Sequence, residues 1–95
     1  KFNNEYFIPS LLNLSLSNSQ LSIINKSNLN FNLQGWALIC DKKVIHVFKK
    51  NELIKAQENF ILDSLKYEGI RHCSLDDSFY LEDKESGYLH LLQNE

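Results

Sequence analysis

Leu12, Leu14 and Leu16 alternate with Asn13, Ser15 and Ser17, so every second side chain is apolar. Successive side chains of a strand point to opposite faces, and a period of two predicts a strand with one dry and one wet face. Asn18-Ser19-Gln20 reads as a turn and Leu21 to Asn25 as a second strand. Beyond Lys26-Ser27-Asn28, Leu29, Phe31 and Leu33 alternate with Asn30 and Asn32 and give a third, so that the three predict a meander. Gly35 interrupts the pattern, as a bulge or bend would, and Trp36-Ala37-Leu38-Ile39-Cys40 is apolar on both faces. After a hairpin loop at 41–43, Val44 to Phe48 is again nearly all apolar. This pair is expected at the centre of the sheet, with cover on both sides.

The period then changes. At 100° per residue, Leu53, Ile54, Ala56, Phe60, Ile61, Leu65 and Tyr67 fall on one broad half of a helix over 51–68, with Lys55, Asn59 and Lys66 on the other. Asn51 is placed to act as N-cap and Gly69 as the C′ glycine, with Ile70 set to touch Leu65. Further strands are expected over Ile70 to Ser74, Phe79 to Glu82 and Tyr88 to Leu92, the last two joined through Asp83-Lys84-Glu85-Ser86-Gly87 as a terminal hairpin. The expected fold is α+β: a curved antiparallel β-sheet, meander plus C-terminal hairpin, with one amphipathic helix packed on one face. The strands before Gly35 curl back over part of the other face. Leu38, Ile45, Val47, Phe60, Ile61 and Leu65 should form the core. With no repeat, low-complexity tract or linker to divide it, the chain reads as a single domain over 1–95.

Composition narrows the class. Ninety-five residues that are 43% hydrophobic and 23% charged, with a net charge of -2, describe one small domain with one modest core. The balanced charge excludes both a disordered chain and a polybasic nucleic-acid binder. Phe, Tyr, Ile, Asn and Lys supply 38 residues against 7 from Gly, Ala, Arg and Pro, which is the translation of an AT-rich gene. Such genes occur in AT-rich bacteria and parasites, in phages and on acquired islands that carry toxins and their antidotes. The absence of Met implies a lost initiator or an upstream segment. Trp36 to Cys40 is the longest apolar run, far below the ~18 residues of a membrane span. Lys1 to Pro9 lacks the apolar centre of a signal peptide, so no membrane partner and a cytoplasmic location are expected.

Candidate chemistry is sparse. His46, His72 and His90 all fall on expected strands, and two of them with a lysine could supply the acid/base pair of a small metal-independent ribonuclease. Nothing in their spacing requires it. Neither C-x-x-C nor H-x-x-x-H occurs, and on a strand the adjacent His72 and Cys73 would point to opposite faces, so no metal and no cofactor are expected. Cys40 and Cys73 read as small buried hydrophobes rather than as a disulfide framework. Lys42-Lys43 and Lys49-Lys50 lie at opposite ends of one strand, ~20 Å apart, and do not make one patch. With Arg71 alone for bidentate phosphate contacts and three glycines that never cluster, no nucleic-acid partner is expected. A carrier holding a small apolar ligand between helix and sheet is a third reading.

The asymmetric feature is the C-terminal third. Residues 70–95 carry Asp76, Asp77, Glu82, Asp83, Glu85 and Glu95 against Arg71 and Lys84, a net of -4, whereas residues 1–69 carry +2. Phe79, Tyr80 and Tyr88 are interleaved with these carboxylates, and alternation puts Tyr80 and Glu82 on the face opposite Phe79 and Leu81. Aromatic side chains supply contact energy at interfaces and charges supply steering, so the segment suits docking on a basic protein. Small size, AT-rich composition, the lack of a catalytic signature and the acidic, tyrosine-bearing segment from Asp76 to Tyr88 resemble the small immunity proteins of bacterial toxin systems, including contact-dependent growth inhibition. The resemblance implies a non-catalytic antitoxin that binds a cognate toxin, often a nuclease with a basic active site. It would do so through Asp76, Asp77, Tyr80, Glu82, Asp83, Glu85 and Tyr88. A second docking route would be β-augmentation at an edge strand near Leu12 to Leu16.

Overall fold

The computed structural model describes residues 11–17, 20–74 and 76–94. Asn18 and Ser19 of the expected turn, and the segment Lys1 to Pro9, expected not to be a signal peptide, lie outside them. Within them the chain is built from strands. β1 (Leu12–Ser17) pairs antiparallel with β2 (Gln20–Asn25), placing Leu14 opposite Ile23 and Leu16 opposite Leu21. β2 continues onto β7 (Asn59–Asp63), where Ile23 meets Phe60 and Leu21 meets Leu62. The two-residue β10 (Gln93–Asn94) adds in parallel along β1, giving the order β10-β1-β2-β7. Every second residue of this sheet faces inward, as the alternation in the sequence requires.

A second four-stranded sheet is centred on β4 (Trp36–Cys40). β5 (Lys43–Val47) flanks it on one side and β8 (Phe79–Asp83) on the other, and β8 is followed outward by β9 (Leu89–Leu91), in the order β5-β4-β8-β9. Leu38 stands opposite Leu81 and Cys40 opposite Phe79. Between the sheets, β3 (Phe31–Asn32) and β6 (Leu53–Ile54) form a two-stranded bridge. Leu12, Leu14, Leu21, Ile23 and Leu62 from the first sheet and Trp36, Leu38, Phe79 and Leu81 from the second belong to one core cluster, joined by Phe31, Phe48, Ile54 and Ile70. The cover for β4 is therefore a second sheet.

This overturns the expected α+β fold and its amphipathic helix: among the described residues no helix of seven or more residues is present, and Glu68–His72 form a 3-10 turn. Residues 51–68 instead supply β6 and β7. Their apolar positions fit two templates, and tertiary pairing selects the period of two: Leu62 is fully buried and Phe60 half-buried, whereas Ile61 is 51% exposed and Leu65 84% exposed. Of the expected core, Leu38 is buried, Ile45 and Phe60 pack against it, and Val47, Ile61 and Leu65 lie outside it. Gln57 takes a left-handed φ of 62° between the two strands. Its side-chain amide Nε2 donates to the Lys26 carbonyl at 2.6 Å and the Ser27 carbonyl at 3.0 Å, fixing the turn against the loop after β2.

Two further expectations are corrected, whereas the bend expected at Gly35 is present. β3 leaves the meander for β6, because Asn25, at the end of β2, redirects the chain. Its buried Nδ2 donates to the carbonyls of Leu29 at 2.8 Å and Lys55 at 3.0 Å, and its Oδ1 accepts the Ser27 amide at 3.0 Å. Gly35 sits in a tight turn closed by the Trp36 amide on the Leu33 carbonyl at 2.8 Å, with a φ of 87° that favours glycine. The register irregularity lies farther on, between Leu38 and Ile39 where β4 meets β5. The segment expected as a strand over Ile70 to Ser74 is occupied by the 3-10 turn and its exit, with Ile70 buried. Among the described residues, no helix is long and apolar enough to cross a membrane.

Candidate binding surface

The outward faces of the two large sheets differ in kind. On β10-β1-β2-β7 the outward row is largely polar, with Asn13, Ser15, Ser22, Asn59 and Asp63 around Ile61. On β5-β4-β8-β9 the register assembles two cross-strand rows. Val44, Ile39, Tyr80 and Leu91 form one. Val47, Ala37, Glu82 and Leu89 form the other. Val44 and Leu89 are each 53% exposed, Val47 47% and Leu91 43%. An outward sheet face in a one-layer environment is ordinarily polar, so a contiguous apolar one marks an interaction surface.

Glu82 is the one carboxylate in those rows. Its Oε1 accepts from Lys84 Nζ at 3.3 Å, and Lys84 is half exposed. An exposed pair of this kind is worth ~0–1 kcal/mol, so Lys84 is readily displaced by a better cation. Tyr80, in the neighbouring row, is half-buried. These two are the only members of the expected seven-residue site that the fold brings onto this face.

The remaining five are distributed elsewhere. Asp76 and Glu85 are exposed beyond the two ends of β8, whose five residues alone separate those ends by roughly 14 Å. Asp83 closes the β8–β9 turn, its Oδ1 accepting the Glu85 amide at 3.0 Å and its Oδ2 the Ser86 hydroxyl at 2.9 Å. Tyr88 stands edge-on to the Trp36 ring at 6.2 Å. Asp77 Oδ2 accepts the Ser74 amide at 2.9 Å and faces Cys40 Sγ at 3.5 Å. Burial first, then Cys73 and Asp77, push the Cys40 thiol far up; burial and Asp77 raise Cys73 against the opposing pull of Cys40 and Lys43. Neither is a ready nucleophile, since the thiolate is the reactive form.

The histidines do not show a shared task. His46 Nε2 lies 2.9 Å from Glu52 Oε1, and its ring packs edge-on against Phe48 and Tyr67. Burial pushes the Glu52 carboxyl up, but the Lys49 amide and His46 outweigh it and hold the carboxyl below its usual range. His72 ends the 3-10 turn and His90 lies on β9. Lys42-Lys43 and Lys49-Lys50 flank the two ends of β5. The reading of a ligand held between helix and sheet loses its wall with the helix, and the edge near Leu12 to Leu16 is covered in part, β10 pairing with Asn13 and Leu14.

The missed residues are Val44, Val47, Leu89 and Leu91. The sequence pattern places Val47 in the core and gives the other three no role; the signal that could have exposed them is that β4 is apolar on both faces while one other sheet covers one side of it, leaving Val44, Val47, Leu89 and Leu91 on the other. Comparison with protein-family models, with curated proteins and with solved structures finds no match to this chain.

Proposed function

We propose that this chain is a non-catalytic protein-binding module of the immunity type, which neutralises a basic toxin domain by docking it on the outward face of β5-β4-β8-β9. The observation that carries the reading is the apolar face with a single displaceable carboxylate inside it. Val44, Val47, Leu89 and Leu91 supply apolar area, Tyr80 supplies an amphipathic anchor, and Glu82 supplies a buried partner for one arginine or lysine of the toxin. Asp76 and Glu85, outside the face, contribute to steering, in keeping with the net charge of -4 in the C-terminal third. A nuclease gathers phosphate in a cationic cleft, and a carboxylate set in an apolar surround can occupy such a cleft. The sheet edges suit this less well: β9 is three residues long and β5 is irregular in register.

The test mixes the purified chain with the purified product of the adjacent gene and follows complex formation by size exclusion and titration calorimetry. A stable complex that Glu82→Lys and Leu89→Lys each weaken at least ~10-fold, while Ile61→Lys on the other sheet leaves it intact, supports the reading. A toxin bound equally well by all three variants places the interface elsewhere and rejects it, as does an adjacent product that does not bind.

A further inference from the structure

Cys40, Cys73 and Asp77 come from three separate places in the chain: the last residue of β4, the exit of the 3-10 turn and the approach to β8. Their two sulfurs and a carboxylate oxygen nevertheless all lie within 4.8 Å of one another. They open onto a pocket of about 180 Å³ that Lys43 and His72 also line. Both thiols are free. The sequence predicts no metal, because C-x-x-C and H-x-x-x-H spacings are missing and His72 and Cys73 would alternate along a strand; the backbone there is a 3-10 turn followed by an extended exit, and the fold brings Cys73 to Cys40 from far along the chain.

The sulfur–oxygen distance matches a specific coordination, and the other two separations lie within 4.8 Å. With Zn–S near 2.3 Å and Zn–O near 2.1 Å, tetrahedral geometry sets a sulfur and an oxygen ligand ~3.6 Å apart and two sulfurs ~3.8 Å apart. Cys40 Sγ stands 3.5 Å from Asp77 Oδ2. The Ser74 amide, 2.9 Å from that same oxygen, holds the carboxylate in place as a supporting hydrogen bond does in built metal sites. We propose that Cys40, Cys73 and Asp77 bind a divalent cation of the zinc class, with the fourth position open at the pocket mouth beside His72.

Binding releases two protons, one from each thiol, to solvent, and leaves a centre of net charge -1 that Lys43, on the pocket wall, offsets. Soft thiolates with one carboxylate select zinc over the hard cations magnesium and calcium. The ion would join residues 73–77 to the end of β4, a cross-link between segments far apart in sequence, with water able to complete its coordination at the open position. The pocket shares Val44 with the margin of the proposed docking face, but its three ligands are not among that face's residues, and the site does not depend on that reading.

Cobalt(II) is the probe, added to the fully reduced chain. One equivalent should produce thiolate-to-cobalt charge-transfer absorption and the visible bands of tetrahedral cobalt, and zinc should displace it. Magnesium should not. Cys73→Ser should remove about half of the charge-transfer intensity, and both Cys73→Ser and Asp77→Asn should weaken binding by more than the ~10–100-fold that loss of a merely supporting group causes. Both positions are half-buried, so far-ultraviolet circular dichroism should show folded variants. Zinc should also raise the melting temperature of the wild type, reversibly with chelator. Absence of charge transfer in the reduced chain overturns the proposal, as does cobalt binding that is unchanged in Cys73→Ser and Asp77→Asn. Closure of a Cys40–Cys73 disulfide in a chain whose reduced form binds no cobalt also overturns it, making the pair a redox bridge.

Discussion

Asn25 is fully buried, and its side chain replaces a missing piece of backbone pairing. Two donated bonds reach the segments before β3 and after β6, and the accepted bonds come from the amide and hydroxyl of Ser27. Removing the amide takes a donor from the part-buried Leu29 and Lys55 carbonyls and from the buried Ile54 carbonyl, 3.4 Å away. Asn25→Ala should therefore destabilise by about 1–3 kcal/mol, read as a lower urea midpoint with an unchanged slope. His90 makes a separate claim about pH. Burial alone holds its imidazole below the ordinary 6.5. Between those two values the unfolded chain binds a proton that the folded chain does not, so this contribution to stability is fully present above the ordinary value. It is lost as pH falls through the window toward the folded value. Urea midpoints at about pH 7.5 and about pH 5.5 should differ more in the wild type than in His90→Gln. Equal differences would show that His90 titrates alike in both states.

At the scale of elements, legibility followed the strength of alternation. Leu12 to Ser17 and Phe79 to Glu82 interleave apolar and polar side chains strictly, and the strands lie where that pattern puts them. The 51–68 segment carries clustered apolar residues that satisfy a helical stripe and two short strands alike, and helix propensity decided nothing once Ile23 and Leu21 on β2 offered pairing to Phe60 and Leu62. Local sequence also cannot show that a glutamine, Gln57, would hold a left-handed turn by bonding to a loop thirty residues away. The same limit applies to the docking surface: alternation correctly sent Tyr80 and Glu82 outward, but which strands flank them was set by long-range register. The two periods predict opposite outcomes at adjacent residues. Leu62→Ala should cost about 2–5 kcal/mol because it empties a closed core position, whereas Ile61→Thr should stay within ~0.5 kcal/mol. The helix expected from the sequence, with Ile61 on its apolar half and Leu62 off it, would reverse the order, so chemical denaturation of the two variants separates the structures.

At the scale of the whole molecule, the two outward faces place opposite demands on solubility. Packing two sheets satisfies both inner faces, and the Asn- and Ser-rich outward face of β10-β1-β2-β7 needs nothing further from its surroundings. The apolar rows of β5-β4-β8-β9 gain nothing from folding, because Val47 and Leu89 remain about half exposed in the folded chain. Their burial free energy, ~25 cal/mol per Å² of apolar surface, is still to be realised in a complex. The consequence is measurable without a partner. The folded chain should bind a hydrophobic reporter dye at this face, and Val47→Lys with Leu89→Lys should abolish most of the signal while shifting the melting temperature little, since neither side chain is in the core. Ile61→Lys, at an equally exposed site on the polar sheet, should leave the dye signal unchanged. A dye signal that survives the Val47 and Leu89 changes, or that falls as much with Ile61→Lys, would place the adhesive surface away from β5-β4-β8-β9.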